Sequence, residues 1–389
     1  MYSTDRSPRA LRFAAEKGVQ PLQANLTIRH KKQNFDGDTF KCHKSLMRPK
    51  CKCQRLKVYS SDSLNSSDKI QKHLCDPLVI GEAAWGVDYL SETYPPRWFH
   101  INKKLIYEIS KPQESDKNNE IKVRRFLEQA SPEFVSLPEI QLSFGNYKYL
   151  PNLEKDKTIH WHVNFADPLL FGFAAGAAFA QDEIQVAEHP VLVSVGTAID
   201  KGDHGSKRLI RSTVEGILAT PVLLEDVPRY CAIDTDGIYG LLFRDAFESK
   251  IRSRVTVLNP PGKSNILAMS APQGTRGTRY SGELIEGIIR TAFAGFRAAV
   301  LTSEEVTIHS GFWGCGAFGN NRQLMTAIQI LAAGAAGVRR LVFWVPHDGY
   351  LSHYHAGLSL AQSLADRKTT EVIKALEERG FLFGAGNGT

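Results

Sequence analysis

From about residue 160 onward, short apolar runs rich in β-branched residues alternate with stretches rich in alanine and glycine. This alternation is typical of an α/β sheet whose faces are covered by helices. The pattern predicts strands over residues 158–165, 191–195, 230–234, 306–309 and 340–345, and long helices over 283–300 and 322–337. The second of these helices is apolar nearly all round, so we expect it to be buried on several sides. The fold class predicted from these runs is α/β.

Length and composition are those of a globular protein. The chain has 389 residues, of which 42% are hydrophobic and 23% are charged, values that exclude collagen-like, wholly disordered and coiled-coil chains. It contains no apolar run of about 18 residues, and its first residues are polar and charged. We therefore expect a soluble protein without a secretory signal and without a membrane partner.

The positive charge is concentrated in the first 75 residues. They contain 16 Lys and Arg against 6 Asp and Glu, whereas the other 314 residues have a net charge of −3. This basic, largely irregular segment is either a solvated tail or a contact for nucleic acid, acidic lipid or an acidic protein. The composition of the body does not favour binding of a polyanion, so a nucleic-acid partner is not predicted.

The cysteines are too sparse for a disulfide scaffold, which makes a reducing compartment the default expectation. They are Cys42, Cys51, Cys53, Cys75, Cys231 and Cys315. The first four, together with His43 and His73, have the residue types of a zinc site, but their spacing matches no standard zinc finger. No metal site is predicted.

Residues 76–155 contain mixed short elements and are predicted to form an accessory helical layer. Within it we expect a buried turn at 97–101 and a helix over 119–129, with Ile121, Val123 and Phe126 on one side. Residues 156–389 are predicted to form the main domain.

Two loops rich in small residues follow predicted strands. The first contains Gly172 and Gly176 and leads into a helix that begins with Gln181, Asp182 and Glu183. The second lies before the helix over 322–337 and contains Gly314, Gly316 and Gly319. Small residues allow backbone N–H groups to approach an anion, and a helix start adds free donors. Because a diphosphate needs donors on both sides, two such loops in one sheet predict a diphosphate site.

Acidic residues around the first loop suggest a reaction. Cleavage of a ribosyl C1″ bond passes through an oxocarbenium-like state and needs a carboxyl group as general acid or base, usually with a second carboxylate nearby. Asp167, Asp182 and Glu183 supply these groups. The structural alternative is that Asp182 and Glu183 only stabilise the first turn of the helix through its dipole.

Other residues carry weaker signals. Asp234 and Asp236 follow a strand end, where sites in α/β folds often lie, although Asp-x-Asp-Gly is also ordinary turn chemistry. Five histidines suggest a metal site, but none belongs to the His-Glu-x-x-His pattern of metalloproteases: His160, His162, His347, His353 and His355. Phe343 and Trp344 are candidates for stacking on adenine, with core packing as the alternative.

The loops resemble a known family. Residues 163–184 are similar, without a gap over 22 positions, to the signature loop of the poly(ADP-ribose) glycohydrolases, a branch of the macrodomain superfamily. Residues 310–318 resemble the second loop of that family, residues 324–345 the helix and strand that follow it, and residues 231–234 an earlier strand. The resemblance implies a macrodomain-like mixed sheet flanked by helices, an N-terminal accessory layer, and an ADP-ribose site without a cofactor. It places the first loop beside the distal ribose and the second around the diphosphate, through Gly314, Cys315, Gly316, Ala317, Phe318 and Gly319.

The chain departs from the family pattern at several positions. Phe171-Gly172-Phe173 replaces three consecutive glycines, and Gln181-Asp182-Glu183 replaces a glutamine and two glutamates. Asp167 and Phe312 stand where the family has asparagines. Residues 200–204 contain no tyrosine, whereas the family has tyrosines after Gly196-Thr197 that close over the ligand. By the resemblance, the catalytic acid falls on Glu183.

These patterns together predict an ADP-ribosyl glycohydrolase. Glu183 acts as general acid and base, while Asp182 and Asp167 orient the ribose or share the catalysis. The expected substrate is mono-ADP-ribose on a protein side chain, arginine included, or poly-ADP-ribose, and ADP-ribosylated ubiquitin is one alternative among the protein substrates. The alternative is a module that binds ADP-ribose without cleaving it. Two locations stay open, the cytoplasm or nucleus of the producing cell and a host cell that receives the protein as an effector.

Overall fold

The computed structural model of the protein describes residues 76–111, 119–149, 158–204 and 209–386. The basic segment over residues 1–75, with the cysteine and histidine cluster discussed above, lies outside the described residues. Among those that are described, no helix combines the length and the apolar character that crossing a bilayer requires.

Ten strands and ten α-helices are found in the described residues. The strands are β1 Leu78–Gly86, β2 Glu120–Leu127, β3 Glu139–Phe144, β4 Ile159–Ala166, β5 Val214–Glu215, β6 Leu218–Ala219, β7 Val222–Ile233, β8 Val255–Ser270, β9 Val306–Gly311 and β10 Arg340–Val345. The helices are α1 Val87–Thr93, α2 Ile101–Ser110, α3 Gln181–Glu188, α4 Val191–Asp200, α5 Leu241–Arg244, α6 Glu248–Arg254, α7 Gly282–Val300, α8 Arg322–Ala336, α9 Leu351–Leu364 and α10 Thr369–Glu378. A 3-10 turn, Asp348–Tyr350, precedes α9.

Eight strands form one mixed sheet in the order β1-β2-β7-β8-β4-β9-β10-β3. Strands β8, β4, β9, β10 and β3 are mutually parallel, and β1, β2 and β7 extend the sheet by antiparallel pairing. The central strands are buried on both faces, as parallel strands require. This arrangement confirms the predicted fold class, a mixed sheet flanked by helices.

The main core lies between the sheet and the helices α7, α8 and α9. Helix α7 begins at the N-cap Ser281, whose hydroxyl accepts a hydrogen bond from Leu284 N. Helix α8 begins at Asn321, which caps Leu324 N in the same way, and it ends at Gly337 in the left-handed conformation with φ +82°. Most residues of α8 are fully buried because it packs against the sheet, α7 and α9. The predictions for α7, α8, β4, β9 and β10 are confirmed.

Three local predictions are wrong. Residues 119–129 form β2 rather than a helix, because Ile121 and Val123 share the spacing of a strand and the segment pairs with both β1 and β7. Residues 191–195 begin α4 rather than forming a strand, since a short apolar run does not distinguish the two. The turn at 97–101 is not buried, because Phe99 and Ile101 are largely exposed.

The segment predicted as an accessory helical layer over 76–155 supplies α1 and α2, but its three strands join the main sheet. Residues 76–149 are therefore not a layer separate from the sheet. One edge of the sheet is formed by β1 and the other by β3. The peptide immediately after β3 reaches the carboxyl ends of the parallel strands, where the candidate site lies.

Candidate active site

A cavity of about 830 Å³ opens at the carboxyl ends of β4, β9 and β10. Its walls include residues of the connection between β4 and α3, here called loop one (residues 167–180), and of the connection between β9 and α8, here called loop two (residues 312–321). Crevices at the carboxyl ends of parallel strands are the usual ligand sites of α/β sheets. The volume is that of a site for a ligand of nucleotide size.

Asp182 and Glu183, predicted as catalytic, lie together on the cavity wall in the first turn of α3. Both are almost completely buried, with 5% and 6% of their surfaces exposed. Glu183 Oε2 accepts a hydrogen bond of 2.8 Å from Ala180 N at the helix start, and Asp182 Oδ1 accepts one of 2.9 Å from Asn164 Nδ2 on β4. The fold therefore fixes one oxygen of each carboxyl group inside the cavity.

Burial changes the proton affinity of this pair. Loss of water contact, followed by the neighbouring charge of Glu183, raises the pKa of Asp182 to about 7, against the opposing effects of Asn164 and Lys103. Near neutral pH, Asp182 therefore keeps a proton that an exposed aspartate would have lost.

Lys103, on α2, is a cation that the sequence patterns did not single out. Its side chain is fully buried, and its ammonium group donates to Ala174 O at 2.6 Å and to Phe173 O at 3.4 Å. Burial lowers the pKa of Lys103 to about 8, while the charges of Glu183 and Asp182 act in the opposite direction. The ammonium group thus holds loop one and balances the carboxylates.

A second cation holds the other half of loop one. Arg211 donates to Leu170 O at 2.5 Å and to Phe171 O at 2.9 Å, and it is paired with Asp200. Phe171 is held at φ +56°, a conformation that is strained for a bulky residue, with its ring in the core. The departure from three glycines is therefore accommodated by cations that bind the carbonyl groups of the loop.

The remaining predicted residues of loop one have different positions. Asp167 lines the cavity, and its carboxylate accepts a hydrogen bond from Leu169 N, which closes a turn. Gln181 also lines the cavity and binds the backbone of β4 through Phe165 N and Val163 O, so it positions the start of α3. Gly172 and Gly176, predicted as ligand contacts, are not among the lining residues. Gly172 instead packs against Leu169, whose carbonyl oxygen would lie 3.0 Å from an added Cβ.

Loop two lines the cavity as predicted, with one exception. The predicted residues that line it are Gly314, Cys315, Gly316, Ala317 and Phe318. Gly314 has φ +71°, and an added Cβ would lie 2.3 Å from Cβ of Ala271, so only glycine fits there. Gly319, at φ +67°, does not line the cavity and packs against Gly384 O near the C-terminus.

Cys315, Phe343 and Trp344 have different environments in the structure, and these decide which of them can contact a ligand. Burial raises the pKa of the Cys315 thiol to about 12, so the group stays protonated and uncharged. Trp344 lines the cavity, and its indole N–H donates to His309. Phe343 points to the opposite face of β10 and is fully buried between Phe312 and Tyr354. The prediction that Phe343 contacts the ligand is therefore corrected, because side chains alternate along a strand.

Tyrosines line the cavity from positions that the sequence patterns missed. Tyr147 and Tyr149 follow β3, Tyr239 precedes α5, and Tyr350 precedes α9. The family has tyrosines at the positions of residues 200–204, where this chain has none, and these four tyrosines supply aromatic side chains to the cavity instead. Within residues 200–204, Asp203 accepts a hydrogen bond from the Tyr89 hydroxyl, and neither residue lines the cavity. The alternating Tyr147-x-Tyr149 pair was the available signal.

Arg322 is a further missed residue. It lies at the first position of α8, lines the cavity beside loop two, and places its guanidinium 4.4 Å from the centre of the Tyr350 ring. Together with the start of α8 it adds a positive group to the loop predicted to bind diphosphate.

A buried polar network supports the carboxylates from behind. Asn164 Nδ2 also donates to Gln185 Oε1, and Gln185 Nε2 donates to the hydroxyl of Tyr149 at 3.0 Å. The Arg229 guanidinium lies 4.3 Å from the centre of the Tyr149 ring and forms two hydrogen bonds of 3.1 Å with Glu188. These contacts fix the orientation of α3 against the sheet.

Several of the weaker candidates form structural contacts, whereas His347 lines the cavity. Asp234 and Asp236 both pair with Arg254, although Asp236 also lines the cavity. His162 stacks on His309 with ring centres 4.4 Å apart, and His160 contacts His309 through their ring nitrogens. Within the described ranges no group of histidine, cysteine or acidic residues has a metal-binding arrangement.

A family model described as "Poly (ADP-ribose) glycohydrolase (PARG), Macro domain fold" matches residues 244–352. The matched segment contains β8, α7, β9, loop two, α8 and β10. Over this segment the chain is similar to the macrodomain of the poly(ADP-ribose) glycohydrolases. The predicted resemblance is thereby confirmed for residues 244–352. Loop one and the carboxylates of α3 lie outside the matched segment.

Solved structures of PARG are also similar to this chain. That from Thermomonospora curvata has 16% identity, covers 76% of this chain and 88% of its own, and gives a TM-score of 0.39. The same enzyme bound to the inhibitor ADP-HPD gives the same values. PARG from Deinococcus radiodurans in complex with ADP-ribose has 13% identity, covers 77% of this chain and 99% of its own, and gives a TM-score of 0.37.

Proposed function

We propose that this protein hydrolyses the ribosyl C1″ linkage of ADP-ribosylated proteins. The observation that carries the proposal is the pair Asp182 and Glu183, buried on the wall of the cavity that loop two also lines. The family match supports ADP-ribose as the ligand class. Cleavage of a glycosidic bond needs a carboxyl group that protonates the leaving atom, usually with a second one nearby, and both carboxyl groups of this pair are buried on the cavity wall.

In the proposed reaction, Glu183 gives its proton to the atom that leaves C1″, and the bond between C1″ and that atom breaks. A water molecule then adds to C1″, and the Glu183 carboxylate takes up one of its protons. The products are free ADP-ribose and the unmodified side chain, so Glu183 returns to its starting state. Asp182, oriented by Asn164, holds a ribose hydroxyl, and Asp167 lies within the same cavity.

The diphosphate is assigned to loop two. Gly314 and Gly316 keep side chains out of the backbone path, and Arg322 adds positive charge at the start of α8. Trp344 and Tyr147, both on the cavity wall, provide flat surfaces for a base.

The test is a panel of substrates: ADP-ribose linked to Arg, Ser or Glu of a carrier protein, ubiquitin included, and poly-ADP-ribose. We expect the wild type to release ADP-ribose from at least one protein-linked form. Glu183→Gln keeps size and polarity but removes proton transfer, so turnover is expected to fall by about 10²–10⁴ while ADP-ribose affinity in calorimetry is retained.

Asp182→Asn and Asp167→Asn are the matched comparisons, and smaller losses are expected because these groups orient the substrate. Normal turnover by Glu183→Gln, with one aspartate variant inactive, would move the catalytic role to that aspartate. Binding of ADP-ribose by a wild type that cleaves no member of the panel would instead establish the alternative function, a binding module.

A further inference from the structure

A group of large apolar side chains is exposed beside the mouth of the cavity. Phe99 and Phe247 are 84% and 81% exposed, and Ile101, Leu241 and Leu242 are 60–76% exposed. We call these five residues the rim patch. Single exposed apolar residues are common on proteins, but a group of this size on neighbouring segments marks an interaction surface.

The segments that carry the rim patch are held together by specific contacts. The N–H of Phe99 donates to Ala175 O of loop one, which ties the start of α2 to that loop. Asn102 Nδ2 donates to Phe243 O at 2.8 Å and to Ala246 O at 3.0 Å, which ties α2 to α5 and to the residue before Phe247. The rings of His100 and Phe243 also lie 5.4 Å apart. Loop one, the start of α2 and the α5 region thus form one connected surface.

This surface borders the carboxylate end of the cavity. Phe173 of loop one and Tyr239 just before α5 both line the cavity and are themselves exposed. Burial, and then the charge of Glu183, raises the pKa of Tyr239 to about 12, and Lys103 donates a hydrogen bond to Phe173 O. We therefore place the protein that carries the scissile bond on the side of the cavity where Phe173 and Tyr239 meet the rim patch.

The arginines of α5 and α6 beside the rim patch are paired with carboxylates. Arg244 is paired with Asp245, Arg252 with Glu248, and Arg254 with both Asp234 and Asp236. A polymer of ADP-ribose carries two negative charges per unit and is bound through cations that are free to contact phosphate. An apolar surface with paired charges at its edge is instead typical of a protein–protein contact.

On the basis of the proposed function, we propose that the rim patch binds an apolar surface of the protein from which ADP-ribose is removed. The enzyme then recognises its substrate at two places: the cavity binds ADP-ribose, and the rim patch binds the polypeptide next to the modified residue. This assigns mono-ADP-ribosylated protein, rather than the polymer, as the substrate class.

The test compares protein and small-molecule substrates of one linkage. Ubiquitin and a histone, each with a single arginine-linked ADP-ribose, are compared with ADP-ribosylarginine, using the full chain and the double variant Phe99→Ser, Phe247→Ser. We expect KM for at least one protein substrate to rise at least tenfold in the double variant, with kcat/KM for ADP-ribosylarginine changed less than twofold. Ile217→Ser is the matched control, because Ile217 is equally exposed on the β5–β6 hairpin and lies outside the rim patch.

Unchanged KM for both proteins, or equal losses on the proteins and on ADP-ribosylarginine, would overturn the proposal. So would a wild-type dimer in sedimentation that dissociates in the double variant, because the patch would then bind a second copy. If the wild type cleaves nothing, the proposed function fails, and affinity still tests the patch: the modified proteins should bind more tightly than free ADP-ribose, and the double variant should lose that difference.

Discussion

At the scale of single residues, the site contains ionisable side chains that are buried away from water, an environment that disfavours their charged forms. Asp182, Glu183 and Lys103 are all buried, and each is held by a specific donor or acceptor: Asn164, the N–H of Ala180 and the carbonyl of Ala174. Buried ionisable groups destabilise a fold unless they are paired, so such a set is typical of a functional site. The cost of this burial leads to two predictions.

Asp182→Asn is expected to stabilise the fold at neutral and alkaline pH. The folded-state pKa of about 7 lies above the ordinary 3.8, so the wild type loses stability as pH rises between these values. Below pH 4 the variant gains nothing, and above pH 7 its advantage is constant, at about 1–4 kcal/mol. Urea unfolding at pH 4.5 and pH 8 measures the difference. An advantage that does not grow with pH would contradict the raised pKa.

Lys103→Met is expected to move the alkaline limit of activity to higher pH. Burial raises the pKa of Asp182 and the positive charge of Lys103 opposes that rise, so removal of this charge lets Asp182 keep its proton to higher pH. The variant also leaves Ala174 O without its donor, at a cost of about 1–3 kcal/mol in the free energy of unfolding. The profile of kcat/KM against pH is the measurement, and Lys104→Met, an exposed neighbour, is the control. A loss of stability with an unchanged pH profile would show that Lys103 is only structural.

At the scale of elements, a prediction succeeded where the pattern of apolar residues extended over the whole helix or strand, and it failed where the run was short or where pairing with a distant strand decided the structure. The alternating β4 and the long apolar α8 were predicted correctly because the period of their buried residues extends over the whole element. In β2 the spacing of Ile121 and Val123 already indicated a strand, but its pairing with β1 and β7 is a contact with distant residues. The five apolar residues 191–195 at the start of α4 are compatible with a strand. Over the ten residues of the whole element the spacing is that of a helix, with one face formed by Val191, Leu192, Val195, Ala198 and Ile199.

Loop two supports a prediction at this scale. Gly316→Val is expected to abolish ADP-ribose affinity while the fold survives, because Gly316 lines the cavity and a branched side chain there blocks the approach of phosphate. Calorimetry measures the affinity, and circular dichroism confirms the fold. Gly314→Ala is the comparison: its strained φ and the close Ala271 make it destabilising. Unchanged affinity in a folded Gly316→Val protein would remove loop two from the binding site.

At the scale of the whole molecule, the sheet brings together groups that are far apart in the chain. The carboxylates follow β4, the glycines follow β9, and the tyrosines at 147 and 149 follow the edge strand β3. They meet because β3, β4, β9 and β10 are parallel, so their carboxyl ends lie at the same edge. Local pattern therefore predicted both loops, whereas the Tyr147-x-Tyr149 signal acquires its meaning only when β3 pairs with β10.

Deletion of residues 1–75 is expected to leave folding and ADP-ribose binding intact. The sheet begins at Leu78, and Asp76, which pairs with Arg297 at 2.5 Å, is retained in the shortened chain. Soluble expression, thermal unfolding and calorimetry of residues 76–389 are the measurements, with the full chain as control. Loss of soluble expression would show that the basic segment packs on the domain or that its cysteines hold a structural metal.

By itself, the sequence determined the α/β class, the main strands and helices after residue 160, and two loops with the residue types of a diphosphate and glycosidase site. These features depend on the spacing of residues that are near one another in the chain. Only the tertiary structure decided which of the predicted residues face the cavity: Trp344 rather than Phe343, and Gly316 rather than Gly319. Only the tertiary structure also showed that Lys103 is buried near the carboxylates. The physical reason is that burial and charge balance depend on contacts between distant segments, and those contacts exist only once the sheet has formed.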